Sequence, residues 1–274
     1  MKVGFIGTGS MGSLLIEAFV RSGALQPANI VAATRTASRA QPLAERFPGL
    51  RIAASGAAVA EEADWVIVCV KPADYRAVLD EIGPVLKPGQ IVVSITSPVL
   101  LEQLERLLPC KVAKMVPSVV NAAGAGAVLA MYGTRLTEDD RRELGRLFSA
   151  IGRPVEIDER DVRVASDLSS CGPAFIAYLL ESFVDAAVET AGIDRELASS
   201  LACDMLLGTA RLLKEGTFSP RELQAKVSVP GGITAIALDI LRRTTADAFP
   251  QVLRATHRKF AEDLAKMEDA LAEK

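Results

Sequence analysis

Over the first 157 residues, apolar positions gather in short unbroken runs, and the stretches between them carry helical spacing. The runs at 3–6, 29–33, 52–54, 65–70, 90–95, 111–116, 127–132 and 155–157 read as strands. They are continuous rather than alternating, the pattern of strands covered on both faces, as in a parallel sheet. After Gly12, the residues Leu14, Leu15, Ala18 and Phe19 fall on one side of a helix. Ser55 is placed to cap another, and Pro72 to open the first turn of a helix over 74–82. Thr137 caps a helix reaching about 151, with Glu138, Asp139 and Asp140 in its electropositive first turn.

Near Asp158 the pattern turns wholly helical. The stretch 168–191 is apolar on most sides and is stopped by Gly192. So few polar positions predict a helix buried all round. A second helix starts at Asp194 and runs to about 214, and Ser219-Pro220-Arg221-Glu222 forms a capping box for a third to about 226. A turn over 227–234 leads into 235–241, and an amphipathic helix over 247–272 carries the single histidine, His257, read as a surface residue. The expected architecture is α/β: a Rossmann-like dinucleotide-binding domain over 1–158, then an all-helical domain over 159–274. The helical half is too apolar for a monomer's outer surface, so a homodimer, or a multiple of dimers, is expected to share it.

Composition narrows the classes. The chain has 274 residues, formal charge −3 and 50% hydrophobic residues, enough for a sizeable core. No basic cluster points to nucleic acid or a membrane surface. No apolar run is read as approaching a membrane span, and a strand beginning beside Met1 leaves no room for a signal peptide. The cysteines Cys69, Cys110, Cys171 and Cys203 form no Cys-x-x-Cys pair and are expected to be free buried thiols in a reducing cytosol. One histidine leaves little from which to build a metal site, and none is expected.

The first dozen residues carry the clearest chemistry. The strand over 3–6 breaks into Gly7-Thr8-Gly9-Ser10-Met11-Gly12 and a helix follows. That order lets the backbone approach a pyrophosphate while the amides and positive end of the new helix hold it. At the end of the second strand an NAD site would place an acid for the ribose 2′-hydroxyl. This chain has Thr34, Arg35 and Thr36, with Ser38 and Arg39 beyond. A guanidinium and hydroxyls suit a 2′-phosphate, so NADP(H) is the expected cofactor. Val70, Lys71 and Pro72 follow the 65–70 strand, on the side where ligands bind such sheets.

Four stretches carry a family resemblance: Gly4-Phe-Ile-Gly-x-Gly-x-Met-Gly12, Val70-Lys71-Pro72, Cys171-Gly172-Pro173-Ala174-Phe175, and Pro230-Gly231-Gly232-Ile233-Thr234. On these the chain resembles the pyrroline-5-carboxylate reductase family nearly end to end. The resemblance implies an NADP-binding domain, a helical dimerisation domain, and reduction of 1-pyrroline-5-carboxylate to proline in the cytoplasm. It further implies that Pro230, Gly231, Gly232 and Thr234 hold the imino acid, with Thr234 at the ring nitrogen as the catalytic residue. Backbone amides at Gly231 and Gly232 would seat the carboxylate.

The chain departs from the family pattern at Ser97-Pro98, Ser118, Cys171, Phe175 and Val229, the last standing where a hydroxyl residue is usual. These departures resemble the family's late competence protein (ComER) branch, and imply an alternative: a regulatory protein that binds NADP(H) with weak or no reductase activity. A β-hydroxyacid dehydrogenase shares the N-terminal motif but uses a lysine on a long interdomain helix, and no lysine lies between Lys114 and Lys214 here.

Overall fold

The sheet that organises the N-terminal half has eight strands. They are β1 (Val3–Ile6), β2 (Ile30–Ala33), β3 (Arg51–Ile52), β4 (Trp65–Val68), β5 (Ile91–Ser94), β6 (Lys111–Val116), β7 (Ala127–Tyr132) and β8 (Arg153–Glu156), in the order β3-β2-β1-β4-β5-β6-β7-β8. The computed structural model describes residues 1–36 and 40–272. The order reverses between β1 and β4, which puts a topological switch point beside the glycine turn.

All neighbours pair parallel except β6 and β7. The link from Val116 to Ala127 is too short for a helical crossover, so β7 must return antiparallel. Helices α1 (Ser10–Arg21), α2 (Gln41–Arg46), α3 (Gly56–Glu62), α4 (Tyr75–Ile82), α5 (Leu101–Leu107) and α6 (Glu138–Ser149) make the other connections. The short α2 and α5 were not evident in the apolar spacing.

The unbroken apolar runs are explained by the two faces of the sheet. Phe5, Trp65 and Ile67 enter one buried cluster with Leu15 and Phe19 of α1 and Phe148 of α6. Ile6, Val66 and Val68 enter the opposite one with Val59, Tyr75 and Leu79. Phe19 and Phe148 meet edge to face at 5.3 Å between ring centres, fixing α1 beside α6. Ser55 caps α3 by accepting from Ala58 N–H, and Thr137 caps α6 by accepting from Asp140 N–H.

The remaining helices are α7 (Val162–Ser166), a π-helical turn (Asp167–Cys171), α8 (Gly172–Ala191), α9 (Arg195–Lys214), α10 (Pro220–Val227), α11 (Ile233–Thr245) and α12 (Ala248–Leu271). The chain separates into two compact units: Met1–Gly172 with Thr256–Lys274, and Pro173–Ala255. The end of α12 belongs to the first. Met267 and Leu271 are buried in the second sheet-face cluster, and Arg76 and Arg106 donate to the last carbonyls, Ala272 O at 3.0 Å and Leu271 O at 3.1 Å. Cations at a helix C-terminus complement its negative end.

Two expectations need correction. The π turn joins α7 to α8, so Glu159–Ala191 is one helical stretch of 33 residues, long and apolar enough by length and composition to cross a membrane. Arg163 and Asp167 near its start hid that length in the sequence. Within one chain only Val184 of α8 is buried, and Tyr178 and Phe183 are 68% and 65% exposed, leaving the helix's burial to a second subunit as the sequence reading expects. All four cysteines are free, but while Cys110 is buried and Cys69 and Cys171 are partly buried, Cys203 is exposed on α9.

Candidate functional site

The β1–α1 turn is held from three sides. Gly7 N–H donates to Ala33 O of β2 at 2.8 Å, and Cys69 N–H donates to Ile6 O at 2.7 Å. Gly7 has φ +98, and a Cβ there would come within 2.7 Å of the Cys69 carbonyl oxygen. A Cβ on Gly12 would lie 2.0 Å from Gly7 O, so α1 starts as close to the turn as backbone permits. Gly9 faces open space and is the N-cap of α1, with no side-chain cap and no acid in the first turn. The amides that open α1, at Ser10, Met11 and Gly12, are those a helix start leaves without intrahelical partners. Thr8 is buried, and its Oγ1 has no hydrogen-bond partner among the described residues. A buried hydroxyl without a partner is costly unless a ligand satisfies it.

Beside this turn lies a cleft of about 490 Å³, within the range of small-molecule sites. It brings together three segments chosen from the sequence: Gly7 and Gly9, then Thr34, Arg35 and Thr36 beyond β2, then Val70 and Lys71 beyond β4. Pro72 starts a short 3-10 turn (Pro72–Asp74) that runs into α4. Ser38 and Arg39 lie outside the described residues.

Two acids also line the cleft. Asp74 Oδ1 accepts from Arg35 Nη1 at 3.2 Å, and Glu81 Oε1 accepts from Ala57 N–H at the start of α3 at 3.1 Å. Behind the cleft Tyr75 hydroxyl bonds Ser94 Oγ at 2.7 Å and Val68 O at 3.3 Å. Burial pushes the Tyr75 phenol and the Cys69 thiol up, so neither ionises near neutral pH. An open, uncapped helix start, a glycine cradle and a guanidinium past β2 fit a dinucleotide carrying a 2′-phosphate.

The second region is the turn before α11. Gly231 has φ +74, and Gly232 N–H donates to Val229 O at 2.9 Å. A Cβ on Gly232 would meet Val229 Cγ2 at 2.7 Å, so the tight turn needs glycine there. The Gly232 amide, one of the two expected to seat a carboxylate, is thus engaged inside the turn. Gly232 is the N-cap of α11 with no side-chain cap, so the amides open to a carboxylate are those of α11's first turn, Ile233, Thr234 and Ala235. Thr234 is half-buried and lines a cavity of about 320 Å³ whose other walls are mostly apolar, among them Leu213, Leu223, Val227 and Leu238. Pro230 precedes the two glycines, and Val229 is 65% exposed.

Some groups escaped the sequence reading. Lys114, inside β6, is fully buried and donates to Glu159 Oε1 at 2.7 Å and Ser97 O at 2.8 Å. Asn121 stands three residues after Ser118, is buried, accepts from Ser118 N–H at 2.6 Å and donates to Ala125 O at 2.8 Å. Its amide fixes the loop between β6 and β7. Asp167, on the π turn, is buried and accepts from Arg163 Nη2 and Thr256 Oγ1, each at 2.8 Å. His257, half exposed, has Nε2 3.7 Å from the same carboxylate. The Ser118–Asn121 and Arg163–Asp167 spacings are local signals that could have marked those two, whereas Glu159 reaches Lys114, and Thr256 reaches Asp167, from distant elements.

Two family descriptions match the chain: "NADP oxidoreductase coenzyme F420-dependent" over residues 2–98, and "Pyrroline-5-carboxylate reductase dimerisation" over 159–263. A pyrroline-5-carboxylate reductase of Methanosarcina acetivorans is 31% identical, covering 94% of this chain and 96% of its own length. The chain belongs to the pyrroline-5-carboxylate reductase family. Another relative, ComE operon protein 4 of Bacillus subtilis, is 38% identical over 97% of both chains. The structure of a Plasmodium falciparum pyrroline carboxylate reductase with NADP bound superposes with a TM-score of 0.83 at 24% identity, over 99% of this chain and 98% of that one, which shows the shared fold. As a member of this family the chain is an NADP-dependent oxidoreductase.

Proposed function

We propose that the protein reduces 1-pyrroline-5-carboxylate, or a close cyclic imino acid, to proline or its analogue. The observation that carries this is that one chain holds both a dinucleotide cradle, built from Gly7, Gly9 and Gly12, and a Pro230-Gly231-Gly232 turn with Thr234 at the uncapped start of α11. Bound NADPH would supply the hydride that the imine carbon accepts. The substrate nitrogen itself takes up the proton, so the chain's part is positioning rather than strong acid–base chemistry. The first amides of α11 and the positive end of that helix hold the carboxylate. Thr234 Oγ1 accepts from the protonated ring nitrogen and fixes which face of the ring is presented. Gly7, Gly9, the opening amides of α1, Arg35 and the flanking hydroxyls of Thr34 and Thr36 hold the cofactor's phosphates.

The exposed apolar face of α8, α9 and α11, with Phe183 65% and Ile233 90% exposed, supports a homodimer that covers it, in a cytoplasmic protein. The domain division proposed with it places cofactor binding in residues 1–158 and dimerisation in 159–274. A second copy, rather than a lipid bilayer, accounts for the apolar stretch Glu159–Ala191, since Glu181, Asp185 and Glu189 recur along its second half.

A second reading follows from Val229, Ser118 and Ser97-Pro98, together with the 38% identity to ComE operon protein 4: a protein that binds NADP(H) and has little turnover. Steady-state reduction of pyrroline-5-carboxylate, measured beside NADPH binding, separates the two. Turnover supports the reductase; tight NADPH binding with no turnover overturns it in favour of the second reading.

A further inference from the structure

An acid at the end of β2 would mark an NAD site, and this chain has none there. The fold nevertheless brings one to the same place from a different strand. Asp74 closes the Pro72–Asp74 turn after β4, anchored by its N–H to Lys71 O at 2.9 Å, and its Oδ1 takes Arg35 Nη1 at 3.2 Å. Its side chain is 41% exposed, against 87% for Arg35. The acid is therefore the seated partner and the guanidinium reaches to it. Glu81 adds a second carboxylate to the cleft, already engaged by Ala57 N–H. Among the described residues that line the cleft, Arg35 and Lys71 are thus balanced by two acids.

We propose that Asp74 is a specificity-determining residue, lowering the preference for NADP(H) over NAD(H) by competing with the 2′-phosphate for Arg35. A phosphate reaching Arg35 must draw the guanidinium off Asp74 or share it beside a like charge. A ribose 2′-hydroxyl meets the opposite situation, because it donates to the Asp74 carboxylate and leaves Arg35 paired. The inference rests on the cofactor reading above and concerns only how the cleft chooses between the two dinucleotides. The ion pair is partly exposed, so solvent limits the competition to a modest factor.

The test is equilibrium binding of NADPH and NADH, by calorimetry or cofactor fluorescence, to the wild-type protein, Asp74→Asn and Arg35→Ala. Asp74 makes no side-chain cap to α4, so Asp74→Asn removes charge without uncapping a helix, and an unchanged Tm serves as the check. Asp74→Asn is expected to tighten NADPH about three- to tenfold, with NADH unchanged or weaker, so the affinity ratio rises. Arg35→Ala should lower the ratio. A ratio that stays within twofold in Asp74→Asn, or that falls, overturns the proposal; a fall would make Asp74 a buttress that holds Arg35 ready for phosphate. A wild-type protein that binds neither dinucleotide overturns the cofactor reading, and the proposal with it.

Discussion

Removing the charge of Glu159 should destabilise the N-terminal unit far more than removing both members of its ion pair. Lys114 is fully buried in β6, while Glu159 Oε1 lies 2.7 Å from its ammonium and is about a quarter exposed. Glu159 also accepts from Leu101 N–H at 3.0 Å, and Lys114 donates to Ser97 O at 2.8 Å. The pair therefore ties the turn after β5 and the start of α5 to the segment that leads into α7. Breaking a buried pair from one side costs about 3–5 kcal/mol, because the remaining charge has no compensation. Glu159 keeps some solvent, so the lower end applies. Glu159→Gln should cost about 3 kcal/mol, a fall in Tm of roughly 6–12 °C for a chain of this size. Lys114→Met with Glu159→Gln leaves no orphaned charge and should lie within about 1 kcal/mol of wild type. Thermal unfolding of wild type, both single variants and the double variant gives the coupling directly.

The same pair predicts a pH dependence. Burial holds the Lys114 ammonium below the ordinary lysine value of 10.5, with the Glu159 charge pulling it back up. The unfolded chain then keeps the proton at pH values where the native protein releases it. Stability from this group is present above 10.5 and is lost as pH falls through the native value. Lys114→Met should flatten that alkaline slope. A Glu159→Gln protein melting within 2 °C of wild type (roughly 1 kcal/mol or less), or a double variant less stable than Glu159→Gln alone, would refute the reasoning.

Other predictions follow from the sites and from α12. Thr234→Ala should lower kcat/KM without changing NADPH affinity; unaltered kinetics would remove Thr234 from the substrate site. Val229→Ser adds a hydroxyl beside the α11 amides and should lower KM for the imino acid by up to about tenfold, or about 1.4 kcal/mol; an unchanged KM would place the carboxylate elsewhere. Leu271, fully buried against the sheet, should cost about 3 kcal/mol as Leu271→Ala, read as an earlier urea midpoint; a midpoint equal to wild type would mean that the end of α12 does not pack there in solution. Sedimentation at micromolar concentration should show a dimer or a multiple of it, and a folded monomer would refute the shared helical face.

Much of the cofactor half was legible because its signals are local. Gly7-Thr8-Gly9-Ser10-Met11-Gly12 marks a strand, a turn and a helix start through the rules of a few adjacent backbone torsions and one close approach, Gly12 against Gly7 O. Continuous apolar runs revealed strands covered on both faces, and Ser55, Thr137, Asp194 and Ser219 cap their helices as their side chains predict. The Pro230-Gly231-Gly232 turn was visible too, but not that its own geometry engages the Gly232 amide with Val229 O.

What the sequence determined alone is therefore the strands and the longer helices, their order, and the residue types gathered for dinucleotide binding, since propensity, capping and apolar period act within a few residues. Tertiary structure decided which elements meet. It made β7 antiparallel to β6, carried the end of α12 back onto the sheet through Met267 and Leu271, and set Glu159 against a lysine 45 residues earlier. It also brought Asp74 from beyond β4 to Arg35 beyond β2, supplying to the cleft the acid that the end of β2 lacks. Such pairings depend on packing and on desolvation of charges, which only the folded chain creates, and no local pattern of residues encodes them.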